Sequence, residues 1–193
     1  MFEEKLNENI VYHIAPIHDL DMILEKGIAY DDKITYYVKY KKFHDFFDNY
    51  KPSEIPEWVI RKKAVFGSLD LSKHTSWHSH SVILSLKINP HKCWIANENL
   101  ANECYEPIML MDVKGFEIKK EYIIKKCIIK AKMYWDTSCS YEYNLRVRND
   151  LKVGYDCEIM IFHSIKPKDI IPLAIVSDHR IMSIKQWKNT IYT

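Results

Sequence analysis

The sequence predicts one α+β domain, a mixed β-sheet with flanking helices. Three observations carry this prediction. Apolar strand-like runs recur at 10–14, 82–88 and 158–162, far apart in the chain. Between them lie stretches with capping residues or helical spacing. The chain has 193 residues, 47% of them apolar, which suits one ordinary core and is too short for two.

The first strand, 10–14, is apolar with a histidine at position 13. Asp19 stands where an N-cap belongs, Leu20, Ile23 and Leu24 recur at helical spacing, and Gly27 occupies the C-cap, so a helix of about two turns follows. Residues 38–47 are compatible with a helix. Residues 53–63 open on a polar cap and Pro56 and carry Trp58, Val59 and Ile60, which predicts another. Residues 64–68 read as a short strand and 72–80 as a small helix crowded with polar and aromatic residues. The run 82–88 alternates through Ser85 and Lys87 and ends at Asn89-Pro90, a strand that 94–95 extends into the sheet. Residues 96–116, with Pro107 and Gly115, read as a long loop over a site. The β-branched, basic run 121–133 reads as a strand and 138–151 as a helix. The last core strand is 158–162, with 171–176 as an edge partner. There is no internal repeat, linker or low-complexity tract.

Composition excludes several classes. With 28 basic and 26 acidic side chains the formal charge is +2, which does not by itself mark a nucleic-acid binder. Basic clusters at 39–42, 61–63 and 125–132 are ordinarily solvated faces. Four glycines and no G-x-G-x-x-G or P-loop pattern exclude a glycine-rich phosphate cradle. Five cysteines without C-x-x-C spacing argue against a disulfide framework and a zinc knuckle, and for reduced, mainly buried thiols. His74 and His78 have i,i+4 spacing without the acidic residue of an H-E-x-x-H motif, so no metal is expected there. No apolar run approaches the roughly 18 residues that would cross a bilayer, and the N-terminus is acidic and polar, so a soluble, cytoplasmic protein is expected.

The most informative feature is Glu158, at the head of an apolar strand that begins after Tyr155-Asp156 and runs into Ile165-Lys166-Pro167. A carboxylate there faces a cleft or a neighbouring element rather than open solvent. His13 is the matching ionisable group of the first strand. Two such strands suggest a single cleft on one sheet. Each residue also has a structural reading: His13 as a satisfied strand histidine, Glu158 as a salt-bridged carboxylate at a sheet rim, Phe66 as core.

Tyr12-His13, a helix ending at Gly27, the strand Val65-Phe66-Gly67-Ser68 and Glu158 in a strand running into Ile165-Lys166-Pro167 together resemble the ADP-ribosyltransferase superfamily. The closer resemblance is to the diphtheria-toxin and poly(ADP-ribose)-polymerase branch, with its His-Tyr-Glu triad. It implies a split sheet and NAD as co-substrate. His13 would hold a ribose and help orient the nicotinamide amide. Phe66, at the tyrosine position, would stack on nicotinamide without offering a hydroxyl. Glu158 would bond the ribose 2′-hydroxyl and stabilise the oxocarbenium-like transition state. Catalysis is thus expected from Glu158 and His13, and cofactor contact from Tyr12, His13, Ala15, Phe66, Gly67, Ser68 and Tyr155.

The chemistry supports this choice independently. Expelling a cationic leaving group from a glycosidic carbon needs negative charge near the developing cation and a rigidly placed sugar, so one carboxylate suffices. Asp156, Glu142 and Glu103 are candidates for a base on the acceptor. The acceptor is expected to be a macromolecule, single-stranded DNA or RNA, or alternatively protein. Aromatic and basic residues at 36–47 and 61–63 suit stacking and phosphate contact, as in the DNA-directed ADP-ribosyltransferase toxins. The alternatives are an RNA 2′-phosphotransferase-like enzyme, using Arg146 and Arg148, and a catalytically silent NAD- or ADP-ribose-binding module.

Overall fold

The computed structural model describes residues 9–30, 34–71, 80–116, 120–178 and 180–191, without the side chains of 34–39 and 191. Among the described residues are eight strands: β1 (Ile10–Pro16), β2 (Val65–Ser68), β3 (Ser81–Lys87), β4 (Cys93–Asn97), β5 (Cys139–Ser140), β6 (Cys157–Ile161), β7 (Ile170–Ser177) and β8 (Arg180–Ser183). Six α-helices accompany them: α1 (Leu20–Lys26), α2 (Ile34–Asp48), α3 (Glu98–Leu110), α4 (Lys120–Asp136), α5 (Tyr141–Val147) and α6 (Ile184–Ile191). The strands form one sheet in the order β5-β4-β6-β2-β1-β3-β7-β8. The expected α+β class holds. The sheet is not mixed, however: every ladder among the described residues is antiparallel, because the spatial order sets β2, β3, β4 and β8, which run one way, beside β1, β5, β6 and β7, which run the other. None of these helices is long and apolar enough to cross a membrane.

The sheet narrows at its centre. β1 meets β3 from Ile10↔Lys87 to Pro16↔Ser81, whereas Tyr12↔Ser68 is the single registered pair between β1 and β2 among the described residues. Gly67 makes this seam possible. A Cβ on it would lie 2.9 Å from the Tyr12 carbonyl oxygen, a backbone atom that cannot step aside alone. Gly67→Ala is therefore expected to cost about 1–3 kcal/mol as the strands separate. An unchanged denaturation midpoint in that variant would show that β1 yields without penalty.

Two large cores cover the faces, and a smaller cluster gathers Ile83, Ala174 and Val176. On one, Val11 and Ala15 of β1 pack with Val82, Leu84 and Leu86, with Ile159 and Ile161, and with Ile23 of α1 and Tyr141 of α5. On the other, α2, α3 and α4 lay Phe43, Phe47, Ala101, Cys104, Cys127, Ala131, Tyr134 and Trp135 over Ala96, Met160 and Phe162. None of the five cysteines is in a disulfide, and all but Cys139 are buried.

Several expectations need correction. Residues 53–63 are not a helix: Ile55 and Val59 are buried four apart, which mimics one, but Pro52 and Pro56 interrupt the ladder and only Arg61–Lys63 make a 3-10 turn. The expected loop at 96–116 is largely α3, capped by Asn97, whose side chain accepts from the Asn99 N–H, and burying Ala101, Cys104 and Ile108. Pro107 sits inside that helix. The expected strand at 121–133 is α4, where tertiary burial of Cys127, Ala131, Tyr134 and Trp135 overrides β-branched propensity. Residues 138–151 include β5, α5 and a 3-10 turn rather than one helix. β7 is an interior strand, and β8 forms the edge. The expected helix at 72–80, with His74 and His78, lies outside the described residues except for His80.

Candidate active site

β6 alternates so that Cys157, Ile159 and Ile161 enter one core and Met160 and Phe162 the other. Glu158 thus points towards the helices α2, α3 and α4. Register sets its neighbours. Glu158 lies opposite Ser68 of β2 and Ala96 of β4, and Ser68 lies opposite Tyr12, itself opposite Ser85. A row Ser85–Tyr12–Ser68–Glu158 therefore crosses the sheet on one face, three hydroxyl-bearing residues leading to a carboxylate.

Glu158 is 5% exposed and fully engaged. Arg61, itself 4% exposed, donates from Nη2 to both carboxylate oxygens, at 3.0 and 2.9 Å. The Tyr134 hydroxyl donates to Oε1 at 2.5 Å and accepts from Arg61 Nε at 3.1 Å. Arg61 Nη1 reaches His44 Nδ1 at 2.5 Å, and since a guanidinium only donates, that nitrogen accepts. Burial first, and then the charge of Glu158, push the Tyr134 hydroxyl well above its usual range, so it remains a donor. The guanidinium carbon lies 4.9 Å from the ring centroids of both Phe43 and Phe66, and 5.5 Å from those of Phe47 and Tyr134. Aromatic faces thus replace part of its lost hydration. The main chain at 61–62 is anchored as well: Asp48 accepts the Arg61 N–H at 2.7 Å and the Lys62 N–H at 3.1 Å.

Comparison with protein-family models, with curated proteins and with solved structures gives no match.

The expected site residues divide. Ser68 and Tyr12 share the row of Glu158, and Ser68 also closes a local turn, its Oγ donating to the Asp70 carbonyl and accepting the Asp70 N–H. His13 does not share that face. Strand alternation places it with Val11 and Ala15, while its Nδ1 spans the seam to the Phe66 carbonyl at 2.7 Å. His13 and Glu158 are thus linked through β2 rather than set across one cleft. The Phe66 ring is stacked against His44, centroids 5.5 Å apart and 11° from parallel, so it serves the helix packing. Tyr155 packs in the opposite core and donates to the Thr137 carbonyl at 3.3 Å. Arg61 is no phosphate-contacting surface cation, although Lys62 and Lys63 beside it are more exposed. Among the expected bases, Glu142 pairs with His91 and Glu103 with Lys130, both on the surface. The Arg148 guanidinium is held by Asp150, and α5, which carries Arg146, packs on the face away from Glu158.

Tyr134 and Glu98 were not anticipated, and Arg61 and His44 were expected only within the stretches 61–63 and 36–47 suited to phosphate contact and stacking, not as partners of Glu158. Arg61 hid in a basic triplet; Tyr134, in a run read as a strand. Glu98 opens α3, half-buried, and its carboxyl is raised from 4.5 to about 7 by burial first and then by the charges of Glu158 and Asp156. The unfolded chain ionises this group from about pH 4.5 upward while the folded one still holds the proton, so stability falls between about pH 4.5 and 7. Glu98→Gln removes that dependence. Discounted for partial exposure, the variant is expected to gain about 1–3 kcal/mol at pH 7.5 and nothing near pH 4. Denaturant melts at the two pH values check it, and equal gains at both would refute the assignment.

Proposed function

We propose that this chain binds NAD along the Tyr12–Ser68–Glu158 row and cleaves the bond between nicotinamide and ribose, passing ADP-ribose to a macromolecular acceptor or to water. The observation that supports it best is the fixed carboxylate. Glu158 is oriented by Arg61 and Tyr134 at the inner end of a hydroxyl-bearing row, beside the one-pair seam of the sheet. A sugar with developing positive charge at its anomeric carbon is stabilised by such a preorganised anion, and its hydroxyls match a polar row better than an apolar one.

A second reading has its own observation in favour. With Glu158 closed by Arg61 and Phe66 covered by His44, the fold would also suit a silent module that holds NAD or ADP-ribose without cleaving it. Nicotinamide release separates the two. Wild-type protein is incubated with NAD, alone and with single-stranded oligonucleotides or cell lysate, while calorimetry measures NAD binding. Release that Glu158→Gln loses supports the transferase. Binding without release supports the silent module, and neither binding nor release removes NAD from both readings.

A further inference from the structure

The β4–β6 ladder continues past its last strand pair. After Ala96↔Glu158 and Asn97↔Cys157, the Glu98 N–H donates to the Asp156 carbonyl at 2.7 Å, so Glu98 stands across from Asp156. That makes it the diagonal neighbour of Glu158, displaced by two residues along β6. The Cα atoms of diagonal neighbours on an antiparallel pair lie about 7–8 Å apart, so their side chains can flank one bound sugar. In inverting glycosyl transfer, two carboxyl groups separated by about 6.5–9.5 Å leave room for the nucleophile, which one of them deprotonates.

We propose that Glu98 takes the proton from the acceptor as it attacks the anomeric carbon, and that the acceptor is a protic nucleophile, a hydroxyl or an N–H, rather than a carboxylate. This rests on the reading of Glu158 given above. The acceptor lone pair forms a bond to C1 of the nicotinamide ribose as the C1–N bond breaks. The bonding electrons pass to the pyridinium ring, which leaves as neutral nicotinamide, and the acceptor proton moves to a Glu98 oxygen. A carboxylate acceptor has no proton to lose and would leave this residue without a role. The groups acting on Glu98 are Glu158, Asp156 and Arg61, together with Asn102 of its own helix. Burial first, and then the charges of Glu158 and Asp156, raise its carboxyl to about 7, where a base is effective at working pH.

The test uses water as the acceptor and azide as a nucleophile that needs no base. Nicotinamide release from NAD is followed between about pH 5 and 9 for wild type, Glu98→Gln and Glu158→Gln, with circular dichroism confirming the fold of each. Wild-type turnover is expected to rise through about pH 7, and Glu98→Gln to be about 10²-fold slower with that rise abolished. Azide is expected to restore release in Glu98→Gln with formation of ADP-ribosyl azide, and not to restore it in Glu158→Gln. A Glu98→Gln enzyme that keeps the wild-type rate and pH rise, or that azide leaves slow, overturns the inference while the Glu158 reading stands. A wild type that releases no nicotinamide overturns both.

Discussion

Arg61→Ala is expected to destabilise the protein by about 3–5 kcal/mol, because it strands the Glu158 carboxylate in a buried site with the Tyr134 hydroxyl as its remaining donor. For a chain of this size that corresponds to a fall in melting temperature of roughly 10 °C or more. Arg61→Lys does not repair the loss. One ammonium cannot reproduce the planar fork that serves His44, Tyr134 and both Glu158 oxygens. Replacing both members tells more. Arg61→Met with Glu158→Leu removes both desolvated charges and is expected to lie within about 1 kcal/mol of wild type or above it, so the two changes are strongly non-additive. Single variants that cost less than about 1 kcal/mol would place the pair in a solvated setting, at odds with its burial.

Glu158→Gln carries the largest expected effect on activity. The amide preserves shape and can still accept from Tyr134, but the negative charge opposite the developing cation is gone. Turnover should fall by about 10²-fold or more, with NAD affinity changed by only a few-fold, since the contact strengthens mainly in the transition state. The variant also leaves the Arg61 guanidinium buried without its counter-charge. Rates must therefore be compared well below its own melting temperature. Near wild-type turnover in folded Glu158→Gln would end the proposed mechanism, whatever the stability data show.

How far the sequence anticipated this structure varied with the kind of signal. β1, β2, β3 and β6 were legible because short apolar or alternating runs are bounded by turn residues, and α1 because Gly27 adopts a positive φ of 83° at its end and donates its N–H back to Ile23. α3 and α4 were not. Pro107 within α3 and the Ile123-Ile124 and Ile128-Ile129 pairs of α4 argue locally against helix, while the buried stripe uses Cys, Ala, Tyr and Trp, which a count of aliphatic residues overlooks. In the site, Glu158 stood out because a charge heads an apolar strand. Its partner Arg61 gave no such sign, since nothing in Arg61-Lys62-Lys63 tells a buried guanidinium from two more exposed lysines. That distinction comes from α2, α4, β2 and β6, which supply the aromatic rings and the acceptors.

The segment joining α2 to β2 contains no regular element longer than a 3-10 turn, yet it delivers Arg61 into the buried interior. To detach, it would have to draw a guanidinium away from four rings and three polar partners while uncovering Ile55 and Val59. The amide hydrogens of Val59, Arg61, Lys62 and Lys63, which donate to Pro56, Asp48 and Ile60, are therefore expected to exchange on the timescale of global unfolding, as slowly as those of the central strands.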